Sequence, residues 1–107
     1  MRADEVRPEK WCLDRNYPIR VLYDDGEYSV IWGKYENTPA LGVRWNDGTE
    51  VGYPRQGAHP TWYVEPDFLA ISILQRLQII CIQENDLDRL EDVNFSIQEL
   101  STKMNRA

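Results

Sequence analysis

From Ile19 onward apolar and polar side chains alternate with a period of two, and the alternation stops and restarts at turn-forming residues. Ile19, Val21 and Tyr23 alternate with Arg20 and Leu22. Asp24-Asp25-Gly26 follows, and then Tyr28, Val30 and Trp32 alternate with Ser29, Ile31 and Gly33 in a segment reaching about Tyr35. An Asp-Gly pair between two such runs predicts a hairpin, because these residues tolerate the positive φ that a tight turn requires. Glu36-Asn37-Thr38-Pro39 breaks the chain again, after which Leu41, Val43 and Trp45 alternate with Ala40, Gly42 and Arg44. Asn46-Asp47-Gly48 predicts another hairpin, leading into a strand over residues 49–53, and residues 61–64, rich in β-formers, predict a fifth short strand. Gly33 and Gly42 fall inside strand patterns. Glycine there points to a bulge or a close backbone approach; if the second and third strands pair, the two small residues leave space for a bulky side chain across the sheet.

The period changes after Pro66. Residues 66–82 place Leu69, Ile73, Leu77 and Ile80 on one helical stripe and Phe68, Ile71 and Leu74 on the next. Proline and Asp67 suit a helix start, where a missing N–H costs nothing and negative charge meets the dipole. The apolar surface is wider than one stripe, so the helix is expected to be covered on more than one side. Residues 79–82 alone also read as a strand, which leaves the end of this element open. Asn85 is the expected cap of a short helix over residues 86–92. Ser96 with Glu99 has capping-box spacing and predicts a last helix over residues 96–105. Strands followed by helices give an α+β fold: an antiparallel four- to five-stranded β-meander packed on a long apolar helix, with short C-terminal helices. Residues 1–18 read as an N-terminal arm, pinned to the body by Trp11, and residues 19–107 as a single α+β domain. Two candidates cover the outer side of the long helix: the C-terminal helices, or a second copy of the chain.

Charge narrows the function classes. The 107 residues carry 12 Lys and Arg against 18 Asp and Glu, a net charge of −6. The cations are scattered, with no basic run or basic helix face, so direct nucleic-acid binding is not expected. An acidic chain also fits an inhibitor of a basic protein. The N-terminus is charged and shows no apolar signal core, and Gln75, Arg76 and Gln78 interrupt the most apolar stretch. A cytoplasmic protein without a membrane partner is therefore expected. Cys12 and Cys81 are far apart, and neither has histidine at ligand spacing, so no metal site is expected. Cys81, within an apolar run, reads as a small buried hydrophobe.

The stretch GYPRQGAHPTWYVEPDF, residues 52–68, concentrates the unusual chemistry: three prolines, the sole histidine, four Tyr, Trp and Phe rings and an arginine. No phosphate loop, metalloprotease helix, paired-cysteine motif or nucleophile elbow is present, which points to no cofactor and no catalytic residue. His59 is the one side chain that titrates near neutrality, but nothing in the spacing supplies it with a nucleophile. The carboxylates, among them Asp86, Asp88, Glu91 and Asp92, read as a solvated face. The candidate surface for a ligand or an interface is Arg44, Trp45, Tyr53, Arg55, His59, Trp62 and Tyr63. Arginine forks bind carboxylates and phosphates while indole and phenol rings form flat apolar walls. The competing reading places some of these rings in the core, with the prolines serving only to stiffen a corner.

Leu41-Gly42-Val43-Arg44-Trp45, Gly52-Tyr53-Pro54, and the run from Pro60 through Trp62, Tyr63 and Pro66 to Ala70 resemble short uncharacterised bacterial accessory proteins of the mobile-element, integron-cassette type. The resemblance covers residues 28–78 and implies an accessory role without a catalytic assignment. The reading that follows is a small non-enzymatic binding or interaction protein, forming a homodimer or engaging another protein partner. It would use the aromatic loop surface or the face of the long helix. A small-molecule pocket walled by Trp45, Trp62 and Tyr63, with Arg44, Arg55 and His59 as polar groups, is the alternative, and an acidic inhibitor is a third.

Overall fold

The computed structural model describes Trp11 and residues 14–46, 52–56 and 59–106. Its elements are β1 (Arg20–Asp24), β2 (Tyr28–Tyr35), β3 (Thr38–Trp45), β4 (Arg55–Gln56), β5 (His59–Pro60), β6 (Tyr63–Glu65), α1 (Asp67–Gln83) and α2 (Leu87–Asn105). β1, β2, β3 and β6 form an antiparallel four-stranded sheet in that order, and β4 with β5 forms a separate ribbon. The fold is thus α+β, a meander followed by two helices packed against it.

Local chemistry makes each turn. After β1, the Asp25 carboxylate accepts hydrogen bonds from the backbone N–H groups of Tyr28 (2.8 Å) and Glu27 (2.9 Å), and Gly26 takes a φ of 90°. These bonds favour the ionised form and hold the Asp25 carboxyl below its ordinary pKa. Glu36 and Asn37, with φ of 48° and 70°, make the tight turn between β2 and β3. Two consecutive residues of positive φ match the twist of the strands they join. β1 carries an irregularity in its pairing with β2 between Val21 and Tyr23.

Alternation along the strands sorts side chains onto two faces, and both are covered. On one, Leu22, Val30, Trp32, Leu41 and Val43 meet Ala70, Leu74, Leu77 and Cys81 of α1 and Val93 and Leu100 of α2. Each of the Leu and Val side chains among them contributes about 1.5–3 kcal/mol by leaving water. On the other face Trp11, Ile31, Ala40 and Trp62 form a smaller cluster. Trp11 lies over both strand glycines: a Cβ on Gly33 would stand 3.2 Å, and one on Gly42 2.8 Å, from its ring. The bulky side chain expected across the sheet is therefore the indole of the N-terminal arm. Burial raises the pKa of the Cys81 thiol; Cys12 lies outside the described residues.

Three expectations change. The C-terminal segment is one continuous helix, α2, instead of two short ones. No proline or glycine interrupts residues 92–96, and Val93, fully buried, belongs to the core face. Ser96 does not cap: it is buried in mid-helix, and its hydroxyl donates to the Asp92 carbonyl at 2.8 Å. The cap is Asp86, whose carboxylate accepts the Arg89 N–H at 3.1 Å, while Asn85 turns the chain with a φ of 55°. The strand predicted over residues 49–53 lies largely outside the described residues, though Tyr53 bridges Trp45. The stretch at 61–64 supplies the fourth strand, β6, paired with β3.

Candidate functional site

The register of the sheet decides which candidate residues meet. Trp45 ends β3 and stands opposite Tyr28 of β2. On its other side it bridges Tyr53, with paired hydrogen bonds of 2.7 and 2.9 Å. Tyr63 stands opposite Val43. Directly opposed residues, and residues two apart, share a face. Tyr28, Trp45, Tyr53 and Tyr63 therefore gather on the helix-bearing face, at the end of the sheet where β3 finishes. Trp45, Tyr53 and Tyr63 are 58%, 61% and 55% exposed. The Tyr28 and Trp45 rings meet edge to face with centroids 4.6 Å apart, a favourable aromatic geometry. A shallow cleft of about 330 Å³ lies among these rings, with Val43, Pro54 and Glu65 in its lining. Burial, and then the nearby Glu65 charge, raise the Tyr28 pKa.

Arg44 and Trp62 belong elsewhere. One residue before Trp45, Arg44 points to the opposite face, where it is 1% exposed. Its Nε donates to Asn46 Oδ1 at 2.9 Å, and its Nη1 to the Thr61 carbonyl at 2.6 Å and the Pro54 carbonyl at 3.5 Å. Asn46 in turn donates to Ser29 Oγ. Desolvation lowers the Arg44 pKa. This buried cation gathers both chain ends of the β4–β5 ribbon, and the Thr61 N–H closes it onto the Pro54 carbonyl at 3.0 Å. Trp62 is buried in the smaller core, with the Arg44 guanidinium 5.9 Å from its ring. Its Nε1 has no hydrogen-bond partner among the described residues. Arg55 is exposed and stacks over the Tyr53 ring at 5.6 Å. His59 pairs through its backbone with Gln56, and its side chain lies outside the described residues.

Six of the seven residues thus split, the His59 side chain lying outside the described residues. Trp45, Tyr53 and Tyr63 come together, with Arg55 at their margin, while Arg44 and Trp62 build the scaffold beneath. A single pocket walled by Trp45, Trp62 and Tyr63 with Arg44 among its polar groups is not what the register assembles. Tyr28 and Glu65 join the site unannounced. Their signal was available: Tyr28 follows from pairing the two hairpin strands, and Glu65 from being two residues beyond Tyr63 on the same strand. Among the described residues no three His, Cys, Asp or Glu side chains are grouped as metal ligands. No described helix is long and apolar enough to cross a membrane.

A second surface lies on α1. Its core-facing residues are Ala70, Leu74, Leu77 and Cys81. On the opposite side Phe68, Leu69, Ile79 and Ile82 are 69%, 44%, 44% and 62% exposed. Comparison of the chain with protein-family models, curated proteins and solved structures finds no match.

Proposed function

We propose that this is a binding protein that works as a homodimer, formed through the outward face of α1. The observation that carries this reading is the composition of that face. Phe68, Ser72, Gln75, Ile79 and Ile82 recur at alternating steps of four and three, the spacing of a helix-pairing seam. Residues 68–83 contain no acid and one cation, Arg76, in a chain of net charge −6. Two acidic molecules approach with least repulsion where neither carries negative charge. In an antiparallel pairing centred on Gln75, Phe68 would face Ile82 of the other copy and the small Ser72 would face Ile79. Seventeen residues give a seam about 25 Å long. The resemblance of residues 28–78 to mobile-element accessory proteins belongs to the same proposal, since it implies an accessory role and brings no catalytic assignment.

Sedimentation and light scattering over a concentration series test it. A concentration-dependent dimer is expected, and Ile79→Glu, at a site already in contact with water, should convert it to a folded monomer. A wild-type chain that stays monomeric at every concentration, or a dimer indifferent to both Ile79→Glu and Phe68→Glu, overturns the reading.

A further inference from the structure

We infer that the aromatic corner of the sheet is a docking groove for a proline-rich, basic segment of a partner protein, held in the polyproline II conformation. The groove is separate from the α1 seam, and the inference stands without the dimer.

The first ground is spacing. Tyr28, Trp45 and Tyr53 lie on three neighbouring chain segments in one row across the sheet. Adjacent strands are about 4.8 Å apart, so the outer two rings are set about 9.6 Å apart at their backbones. A polyproline II helix advances about 9.3 Å in each three-residue turn. One side of such a helix, repeating every third residue, can therefore set one proline on the joined Tyr28–Trp45 pair and the next on Tyr53. The second ground is chemistry. Polyproline II makes no internal hydrogen bonds, so its carbonyls are free to accept from the indole N–H and phenol O–H groups that an exposed Trp and exposed tyrosines present. Its prolines are already ordered, which suits an open, shallow cleft unable to enclose a flexible ligand. Rings as exposed as Trp45, Tyr53 and Tyr63 make a grooved platform and not a closed cage.

The third ground is charge. Glu65 borders the cleft, two residues along β6 from Tyr63, and the whole chain carries −6. Arg55 already occupies one margin by stacking on Tyr53, so a ligand cation is directed to the Glu65 end. This polarity orients the segment, with its basic residue beyond the prolines on the β6 side. The same platform could in principle stack on a sugar ring, but Glu65 and the acidic field favour a cationic ligand.

A synthetic octaproline flanked by arginines, titrated into ¹⁵N-labelled full-length protein, tests the inference. The indole resonance of Trp45, assigned with Trp45→Phe, should shift saturably while that of the buried Trp32 does not. Trp45→Ala and Tyr63→Ala, both at exposed positions and checked for fold by circular dichroism, should each weaken binding about tenfold, as central aromatic anchors do. Glu65→Gln should weaken the arginine-flanked peptide about threefold and leave a serine-flanked one unchanged, the size of a partly exposed ion pair. No shift at Trp45, affinity unaltered by Trp45→Ala, or a response to oligosaccharides without one to the peptide would overturn it.

Discussion

Trp11 closes over Gly42, so that a Cβ added to this glycine would stand 2.8 Å from Cζ2 of the indole. Real Cβ atoms do not approach so closely, and the ring is 5% exposed with little room to retreat. Gly42→Ala should therefore destabilise the protein by about 1–3 kcal/mol, the usual cost of overpacking. Trp11→Ala should cost about 3–5 kcal/mol. Because the two effects share one space, Gly42→Ala should cost much less when Trp11 is already alanine. Urea unfolding of the two single variants and the double variant measures this, and strict additivity would contradict the contact.

Tyr17 and Trp32 give a pH prediction. The Trp32 indole, wholly buried, donates to the Tyr17 hydroxyl at 2.9 Å. The Tyr17 pKa is pushed up to about 12: burial leads, the Trp32 bond opposes it, and Glu99 adds to it. A phenol whose folded pKa lies above its unfolded one stabilises the fold fully below the unfolded value of about 10. That contribution is lost as pH rises from about 10 to about 12. Tyr17→Phe leaves the indole N–H buried without an acceptor and should cost about 1–3 kcal/mol near neutrality. The gap between the two proteins should narrow in unfolding curves above pH 10, while tyrosines common to both cancel.

The cap of α2 separates one long helix from two short ones. Asp86→Ala removes the acceptor of the Arg89 N–H and should cost about 1 kcal/mol. Ser96→Ala removes a bond within a helix that is already continuous and should cost less. Thermal unfolding ranks them; if Ser96→Ala were the more damaging, α2 would have to begin anew there.

Gly52 sets the aromatic corner. Its φ is 71°, and a Cβ there would overlap the Trp45 carbonyl and stand 2.6 Å from Arg44 Nη2. Gly52→Ala should cost at least about 1–2 kcal/mol for the left-handed backbone alone. It should also loosen the pairing of Trp45 with Tyr53, seen as weaker near-ultraviolet circular dichroism. An unchanged aromatic signal would mean that the corner is fixed by other contacts.

What the residue pattern disclosed was whatever depends on neighbours in the chain. Alternation located β1, β2 and β3, the Asp-Gly turn located the first hairpin, and helical spacing located α1 almost to the residue. Gly33 and Gly42 announced a close approach, and Trp11 announced an anchor, but only the folded sheet shows that these are one contact. The end of one helix and start of another around Ser96 was misread because a capping-box spacing is also compatible with mid-helix residues; burial of Val93 settled the matter. The candidate site was half legible. Aromatic abundance marked the right region, yet whether a ring faces outward depends on strand parity, which puts Trp45 and Tyr63 on one side and Arg44 and Trp62 on the other. Tyr28 required knowledge of which strands pair, whereas Glu65 needed only the two-residue parity of its own strand with Tyr63.

The two borders of the sheet have a consequence of their own. At one, β6 spans three residues; at the other, the irregular step between Val21 and Tyr23 disturbs the run of amide groups along β1. Neither offers the long, straight template on which a foreign strand could zip up. Fibril-like growth is thereby discouraged at both margins of the described sheet.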